Sequence, residues 1–232
     1  MPKTIGVVTA RGGSQRFPGK NIESLAGKPM IAWTFEAALA AERLDRIIVS
    51  TDDPEIARIA RAWGVEVPFL RPTALAQDDS EQIDVVRHSL DWLESDHSLP
   101  DYVFLLQPTS PLRTSADIDA AVQIAEERDA QAVIGLTRTK PHPYRTKRIQ
   151  EDGSLANFIP GDLPQGLPQN YPTAYAVTGA VYVNKCAALR AHRTFYPKGA
   201  LPYFMPPERA IDVDTRLDLI LVEHLLRQRH AS

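Results

Sequence analysis

The chain has 232 residues, 44% of them hydrophobic and 24% charged, with a formal net charge of −3. That suits one globular domain spanning 1–232, with room for a sizeable core and a modest insertion. The slightly acidic balance argues against a nucleic-acid partner, because such proteins carry a basic excess, and no stretch approaches the roughly 18 apolar residues of a membrane span. The single cysteine, Cys186, excludes an intrachain disulfide and a Cys-rich zinc site and fits a reducing compartment. The apolar run in MPKTIGVVTA is too short for a signal peptide, so the expected location is the cytoplasm.

In chain order, IGVVT (5–9) reads as a buried strand. A glycine-rich loop follows, and Pro29 then opens a helix with Ile31, Phe35, Ala38 and Leu39 on one face. RIIVST (46–51) is a second strand. Asp53 caps the next helix, with Pro54 in its first turn; Ile56, Ile59, Ala60 and Trp63 form its stripe, and Gly64 ends it. VEVPFL carries Pro68 and reads as a short or edge strand. Ile83, Val86, Leu90 and Leu93 mark a third helix, and YVFLL (102–106) a buried strand. Ser115 caps a helix striped by Ile118, Val122 and Ala125, and AVIGL (132–136) is another strand. This alternation predicts an α/β fold, a mostly parallel sheet covered by helices. Ligands of such sheets bind beyond the carboxyl ends of the strands, which puts ARGGSQRFPGKN, STDD, QPTSPLR and the loop after Leu136 on one rim.

The pattern breaks from about Thr137. The stretch 138–174 is rich in proline and has no sustained helical period, so it reads as an inserted lid or oligomer contact. Within it, YRTKRIQEDGSLANF alternates about a DG turn, as a hairpin does. AYAVTGAVYVN resumes as a strand, with a short helix near Cys186. The last helix begins at Asp214 or Thr215, with Leu217, Ile220, Leu221 and Leu225 as its stripe.

Thr9–Asn21, TARGGSQRFPGKN, holds three glycines and the cations Arg11, Arg16 and Lys20. It is not a Walker loop: five residues separate Gly13 from Gly19, and Asn21 follows Lys20 where Ser or Thr would bind magnesium. Glycine-released N–H groups beside Arg and Lys nonetheless make a polyphosphate cradle. Cations so close repel by ~1 kcal/mol or more per pair near a surface unless an anion joins them. In AIDVDTRLDL, Asp212 and Asp214 lie two apart on an extended segment and can face the same side. Two carboxylates beside a triphosphate suit Mg²⁺; an N-cap role for Asp214 remains the alternative. QPTSPLR offers Gln107, Thr109, Ser110 and Arg113 directly after a buried strand, either as a binding turn or as a cap for the next helix. Arg71 follows a strand on the same rim and reads as a surface arginine or a ligand contact. His142 and Arg145 lie in the insertion. Phe195, next to Tyr196, is a packing residue or a ligand contact. No GxSxG or Cys/His nucleophile pattern stands out; displacement assisted by cations needs none, since it works by positioning and charge stabilisation.

Together ARGGSQRFPGKNI, GKPMIAWTFEAA, IIVSTDDPEIA, GVEVPFLRP, QPTSPLR and IDVDTRLDL resemble the CMP-sialic acid synthetases (acylneuraminate cytidylyltransferases), in the same order and from Ile5 to about Leu225. The resemblance implies a Rossmann-like three-layer fold of nucleotidyltransferase type. It also implies a Mg²⁺-dependent transfer of CMP from CTP to the anomeric hydroxyl of a nonulosonic acid, releasing pyrophosphate. Carried onto this chain, it places Arg11, Gly13, Ser14, Arg16, Lys20, Asn21 and Arg71 on the nucleotide, with Arg11, Lys20 and Asp214 as the catalytic set. Asp212 and Asp214 match the metal pair. Gln107, with Thr109, Ser110 and Phe195, falls on the sugar-acid side. The Pro-rich insertion resembles the family's dimerisation arm, with Arg145 as its basic residue reaching the partner's site, which implies a homodimer. Two departures stand out. Gln15-Arg16 replaces the usual GGSKG lysine, as in pseudaminate- and octulosonate-type relatives. AVTGAVY (176–182) replaces RPNGAIY of the sialate pattern, losing its arginine at Ala176 and its asparagine at Thr178. The acceptor is then N-acetylneuraminate or a differently decorated keto acid. An octulosonate cytidylyltransferase and a non-catalytic nucleotide-binding protein are the alternatives.

Overall fold

The computed structural model describes residues 2–13, 17–161 and 170–231. Its strands are β1 (Thr4–Thr9), β2 (Ser24–Leu25), β3 (Lys28–Pro29), β4 (Arg46–Ser50), β5 (Tyr102–Leu106), β6 (Ala132–Arg138), β7 (Lys147–Ile149), β8 (Leu155–Asn157), β9 (Tyr175–Lys185) and β10 (Leu201–Phe204). Its helices are α1 (Met30–Leu39), α2 (Pro54–Ala62), α3 (Gln82–Ser95), α4 (Ser115–Glu127), α5 (Cys186–His192) and α6 (Arg216–Ala231). Six strands form the central sheet in the order β10-β6-β9-β5-β1-β4. β1 pairs parallel with β4 and β5, and β10 with β6; β9 alone runs antiparallel to both its neighbours. VEVPFL makes only single bridges, Ile48 to Glu66 and Thr51 to Leu70, along the β4 edge.

The sheet is the middle of three layers because its strands alternate between two cores. Val8, Tyr102, Phe104, Val133, Val181 and Val183 face one side, packed with Ile31 and Phe35 of α1, Ile56 of α2 and Ile118 and Val122 of α4. Ile5, Val7, Val103, Leu105, Ile134 and Tyr182 face the other, against Ile83, Val86, Leu90 and Leu93 of α3 and Leu189 of α5. Side chains of period two on strands and near 3.6 on helices produce this division. A third cluster joins Leu25, Met30, Trp33 and Leu112 to Val213, Val222 and Leu226. It docks the C-terminal helix beside the segment that follows the glycine-rich loop.

Several expectations are corrected. Leu39 of α1 is exposed. Thr114, not Ser115, caps α4, in a reciprocal box with Asp117. The α6 stripe faces the other way: Leu217 and Ile220 are 73% and 65% exposed and Leu221 is exposed, whereas Val222 and Leu226 are buried. Leu225 is part-buried against them, as expected. Helical spacing alone cannot choose between two apolar faces of one helix. The DG hairpin is present as β7 and β8, with Gly153 at φ 82°. In the insertion, His142 Nδ1 accepts from the Tyr144 N–H and its Nε2 donates to the Pro172 carbonyl, 2.9 Å away, so this histidine ties the ends of the arm together. No described helix is long and apolar enough to cross a membrane.

Candidate active site

A cleft of about 320 Å³ opens where the parallel strands end. Thr9 at the end of β1, Arg71 beyond β4, and Gln107, Pro108 and Thr109 beyond β5 line it, together with Arg11, Lys20 and Asn21 of the glycine-rich loop. Asn21 Nδ2 donates to the Arg11 carbonyl (3.0 Å), folding the loop back on itself. Gly12 has close neighbours on the other side: its N–H donates to Asp52 Oδ1, and a methyl there would lie 2.5 Å from Asp53 Oδ2. Gly13 has open space around it. Ser14 and Arg16 lie outside the described residues.

Arg71 is not a surface arginine. It is 6% exposed, and its guanidinium donates to Ser50 Oγ and to the Ser50 carbonyl. Burial pulls its pKa down to about 10, with nearby Asp52 opposing and Arg11 reinforcing; it stays cationic at neutral pH. Arg11 lies at the cleft mouth, its Nη1 2.9 Å from Asp78 Oδ1 and 2.9 Å from the Gln77 carbonyl. Gln77, Asp78, Ser80 and Gln82, from the segment leading into α3, complete this wall. None of the four stands out in the sequence. Their only signal is that they follow Arg71 on the same rim.

The C-terminal aspartates reach the same place. Lys20 Nζ is 3.0 Å from Asp214 Oδ1, joining residues 194 positions apart. Asp214 is not the helix cap. Thr215 Oγ1 accepts from the Asp218 N–H, and Asp218 accepts from the N–H groups of Thr215 and Asp214. Thr215 and Asp218 therefore form the capping box, and the Asp214 carboxylate is left for other work. Asp212 accepts from Ser110 Oγ on Oδ1 and from the Gly179 N–H, 2.9 Å, on Oδ2. Burial pushes the Asp212 carboxyl above its ordinary value against those two bonds, and the Asp214 charge adds to the push. The Val213 N–H donates to the Thr109 carbonyl at 2.8 Å, pinning the aspartate segment to the QPTSPLR turn.

Gly179 sits where the β6–β9 register shifts, between Ile134 and Leu136. A methyl there would fall 2.5 Å from Asp212 Oδ1 and 2.6 Å from Gln107 Oε1. The bulge thus lets the backbone approach both side chains at once. Arg113 lies beneath this group, 2% exposed. It donates to the carbonyls of Ala180 (3.0 Å) and Gln107 (3.4 Å) and to Thr34 Oγ1 (3.1 Å), joining β9, the turn and α1. Burial lowers its pKa to about 10, opposed by Asp212 and Asp117.

Two expected residues lie elsewhere. Phe195 does not line this cleft; it packs on the second core, its ring 5.6 Å from that of Tyr182, and its carbonyl accepts from Asn184. Arg145 is exposed on the arm. Among the described residues no three His, Cys, Asp or Glu side chains form a metal cluster. Asp212 and Asp214 still fit a hard cation that takes its remaining ligands from phosphate and water, as Mg²⁺ does; their oxygens keep lone pairs beyond the bonds described.

A mostly parallel three-layer sheet with cations and paired carboxylates at its strand ends is an α/β architecture whose rim suits a polyanionic ligand. The cytidylyltransferase family model matches residues 5–157, and the chain belongs to that family of enzymes. It is 34% identical over 227 residues to a CMP-N,N'-diacetyllegionaminic acid synthase of Legionella pneumophila, covering 97% of this chain and 96% of the relative. It is 32% identical over 220 residues to an N-acylneuraminate cytidylyltransferase of Escherichia coli, covering 94% of this chain but 51% of that longer protein. A pseudaminic acid cytidylyltransferase of Campylobacter jejuni is 27% identical over 230 residues, with 99% of both chains covered. Among solved structures, a CMP:2-keto-3-deoxy-manno-octonic acid synthetase complexed with CTP superposes with a TM-score of 0.72 at 20% identity, covering 98% of this chain and 99% of that one. A 4-diphosphocytidyl-2C-methyl-D-erythritol synthase gives 0.66 at 12% identity, covering 97% and 100%. At these identities the two structures show a shared fold.

Proposed function

We propose that this enzyme transfers CMP from CTP to the anomeric hydroxyl of a nonulosonic acid and releases pyrophosphate. The observation that carries this reading is the 3.0 Å contact between Lys20 and Asp214. It brings the polyphosphate loop and the carboxylate pair, from opposite ends of the chain, to one cleft. The names of the legionaminic, sialic and pseudaminic relatives support the acceptor class.

In this reading Arg71 is a fixed cation on the cleft wall, and Arg11 and Lys20 meet the phosphates from the loop. Gln107 and Thr109 face the acceptor, whereas Ser110, expected beside them, is buried and holds Asp212 from behind. The anomeric oxygen attacks the α-phosphorus in line as the bond to pyrophosphate breaks, and Asp214 takes the hydroxyl proton. Preorganised cations stabilise the charge that builds on the leaving group. Asp212 and Asp214 would hold Mg²⁺ with phosphate oxygens, and that ion, when bound, supplies further charge neutralisation. The 138–174 arm acts as the contact of a homodimer, carrying Arg145 to the partner's cleft; the exposed Ile149, Leu155 and Phe158 on and beside its hairpin support this. The loss of the sialate-type arginine and asparagine at Ala176 and Thr178 favours an acceptor other than N-acetylneuraminate. Thr178 here is buried and its hydroxyl donates to Met205 Sδ.

The test is pyrophosphate release from CTP with a panel of acceptors: diacetyllegionaminate, N-acetylneuraminate, pseudaminate and an octulosonate. Turnover is expected on a nonulosonate. Turnover on the octulosonate alone, or CTP binding without turnover on any acceptor, would refute the reading.

A further inference from the structure

Two of the three cations described in the cleft already have carboxylate partners. Lys20 pairs with Asp214, a carboxylate the proposed reaction uses. Arg11 pairs with Asp78, which that reaction does not explain. Arg71 is different in kind: it is buried and its bonds go to Ser50, so its position is fixed. Arg11 and Asp78 are 30% and 52% exposed at the side chain and sit at the mouth. A carboxylate on the wall of a polyphosphate site opposes binding by like-charge repulsion. An ion pair between groups this exposed is also weak and screened by salt, so a stronger anion can break it, as it could not break a buried pair. Arg11 is meanwhile anchored by a second bond to the Gln77 carbonyl, which keeps it at the cleft when Asp78 lets go.

We infer that Asp78 is a displaceable counter-ion for Arg11. It holds the guanidinium at the cleft mouth, yields it to the incoming triphosphate and takes it back as pyrophosphate leaves. Asp78 therefore weakens the binding of CTP and of pyrophosphate and speeds release of the product. It acts through Arg11, as a positioning residue. The inference rests on the CMP-transfer reading for the identity of the polyanion.

Isothermal titration of the full chain tests it, with wild type, Asp78→Asn and Asp78→Glu each titrated with CTP, pyrophosphate and uncharged cytidine. Loss of one exposed pair corresponds to Asp78→Asn binding CTP and pyrophosphate about 5-fold more tightly. Cytidine affinity should be unchanged, and Asp78→Glu should match wild type for all three. Pyrophosphate should also become a correspondingly stronger product inhibitor of Asp78→Asn. Unchanged or weaker CTP binding by Asp78→Asn overturns the inference. So does equal tightening toward cytidine, which would mark a reshaped pocket in place of a released charge. Wild type that binds neither CTP nor pyrophosphate refutes the CMP-transfer reading itself; wild type that binds CTP while Asp78→Asn fails to tighten refutes only the counter-ion role.

Discussion

At the scale of single residues, the two ends of the chain meet through charge and through one missing side chain. Lys20 is satisfied by Asp214 before substrate arrives, so exchanging that partner for a ground-state phosphate gains little. A leaving pyrophosphate, with charge building on it, is the stronger partner. Lys20→Ala is therefore expected to lower kcat by about 100-fold, in the range of lost transition-state donors, while KM for CTP stays within about 3-fold. Steady-state kinetics check this, and a large rise in KM with kcat intact would contradict it. Gly179 matters for the opposite reason. Alanine there drives a methyl into Asp212 and Gln107, displacing both from the cleft by a few tenths of an ångström or more. Gly179→Ala is expected to cost about 10- to 100-fold in turnover with the far-UV circular dichroism unchanged; near-normal turnover would show that the bulge gives way. The glycine-rich loop and the aspartate pair were legible as chemistry because cations and carboxylates cluster in sequence. Gly179 and Asp78 were not, because their roles come from an approach between segments distant in the chain.

At the scale of elements, the stripes of α2, α3 and α4 were readable because each helix has one apolar face and lies flat on the sheet. α6 has two. Its Leu217, Ile220 and Leu221 face outward, and Val222 and Leu226 enter the cluster with Leu25, Met30 and Trp33. Leu226→Ala should accordingly cost about 2–4 kcal/mol of stability, and Leu217→Ala with Ile220→Ala under about 1 kcal/mol together, by urea denaturation. The reverse order would return the helix to the sequence reading. A second element-level link runs through Asp117. This buried carboxylate, in the first turn of α4, accepts from Arg209 (2.8 Å), from the Tyr203 hydroxyl of β10 (2.9 Å) and from Thr114. It thereby anchors the chain just before Asp212. Burial pushes its pKa up, but the bonds from Arg209, Thr114 and Tyr203 outweigh that, and the net value lies below normal. The folded state thus takes up this proton less readily than the unfolded one. Its contribution is complete above the unfolded carboxylate value of about 3.9 and disappears as pH falls through the lower folded value. Asp117→Asn should lose about 2 kcal/mol at pH 7, and its deficit relative to wild type should close as pH drops below about 3.9. A deficit independent of pH would assign the loss to packing.

At the scale of the whole molecule, the alternating layers could be read from the chain, but the direction of one strand could not. β9 is apolar on both faces, with Val181 and Val183 toward one core and Tyr182 toward the other, and a strand buried on both sides carries the same pattern whichever way it runs. Its reversal follows from the arm: the chain leaves the sheet at the end of β6 and returns beside it as β9, with no α-helix among the described residues between them, and a connection without a crossover helix gives antiparallel neighbours. The described hairpin of the arm has little to stabilise it alone. Three-residue strands make a marginal hairpin, and Ile149, Leu155 and Phe158 all face solvent in one chain. Exposed apolar side chains on so small an element fit the proposal that a second copy covers them. Light scattering should then give twice the 25.7 kDa chain mass at micromolar concentration. Leu155→Asp with Phe158→Asp should return it to one chain while the monomer keeps its far-UV spectrum. Because Arg145 is proposed to serve the partner's cleft, that monomer should also lose turnover, and Arg145→Ala should lose turnover while remaining dimeric. A wild type that runs as a monomer, or a monomeric variant with full activity, would confine the arm to its own chain.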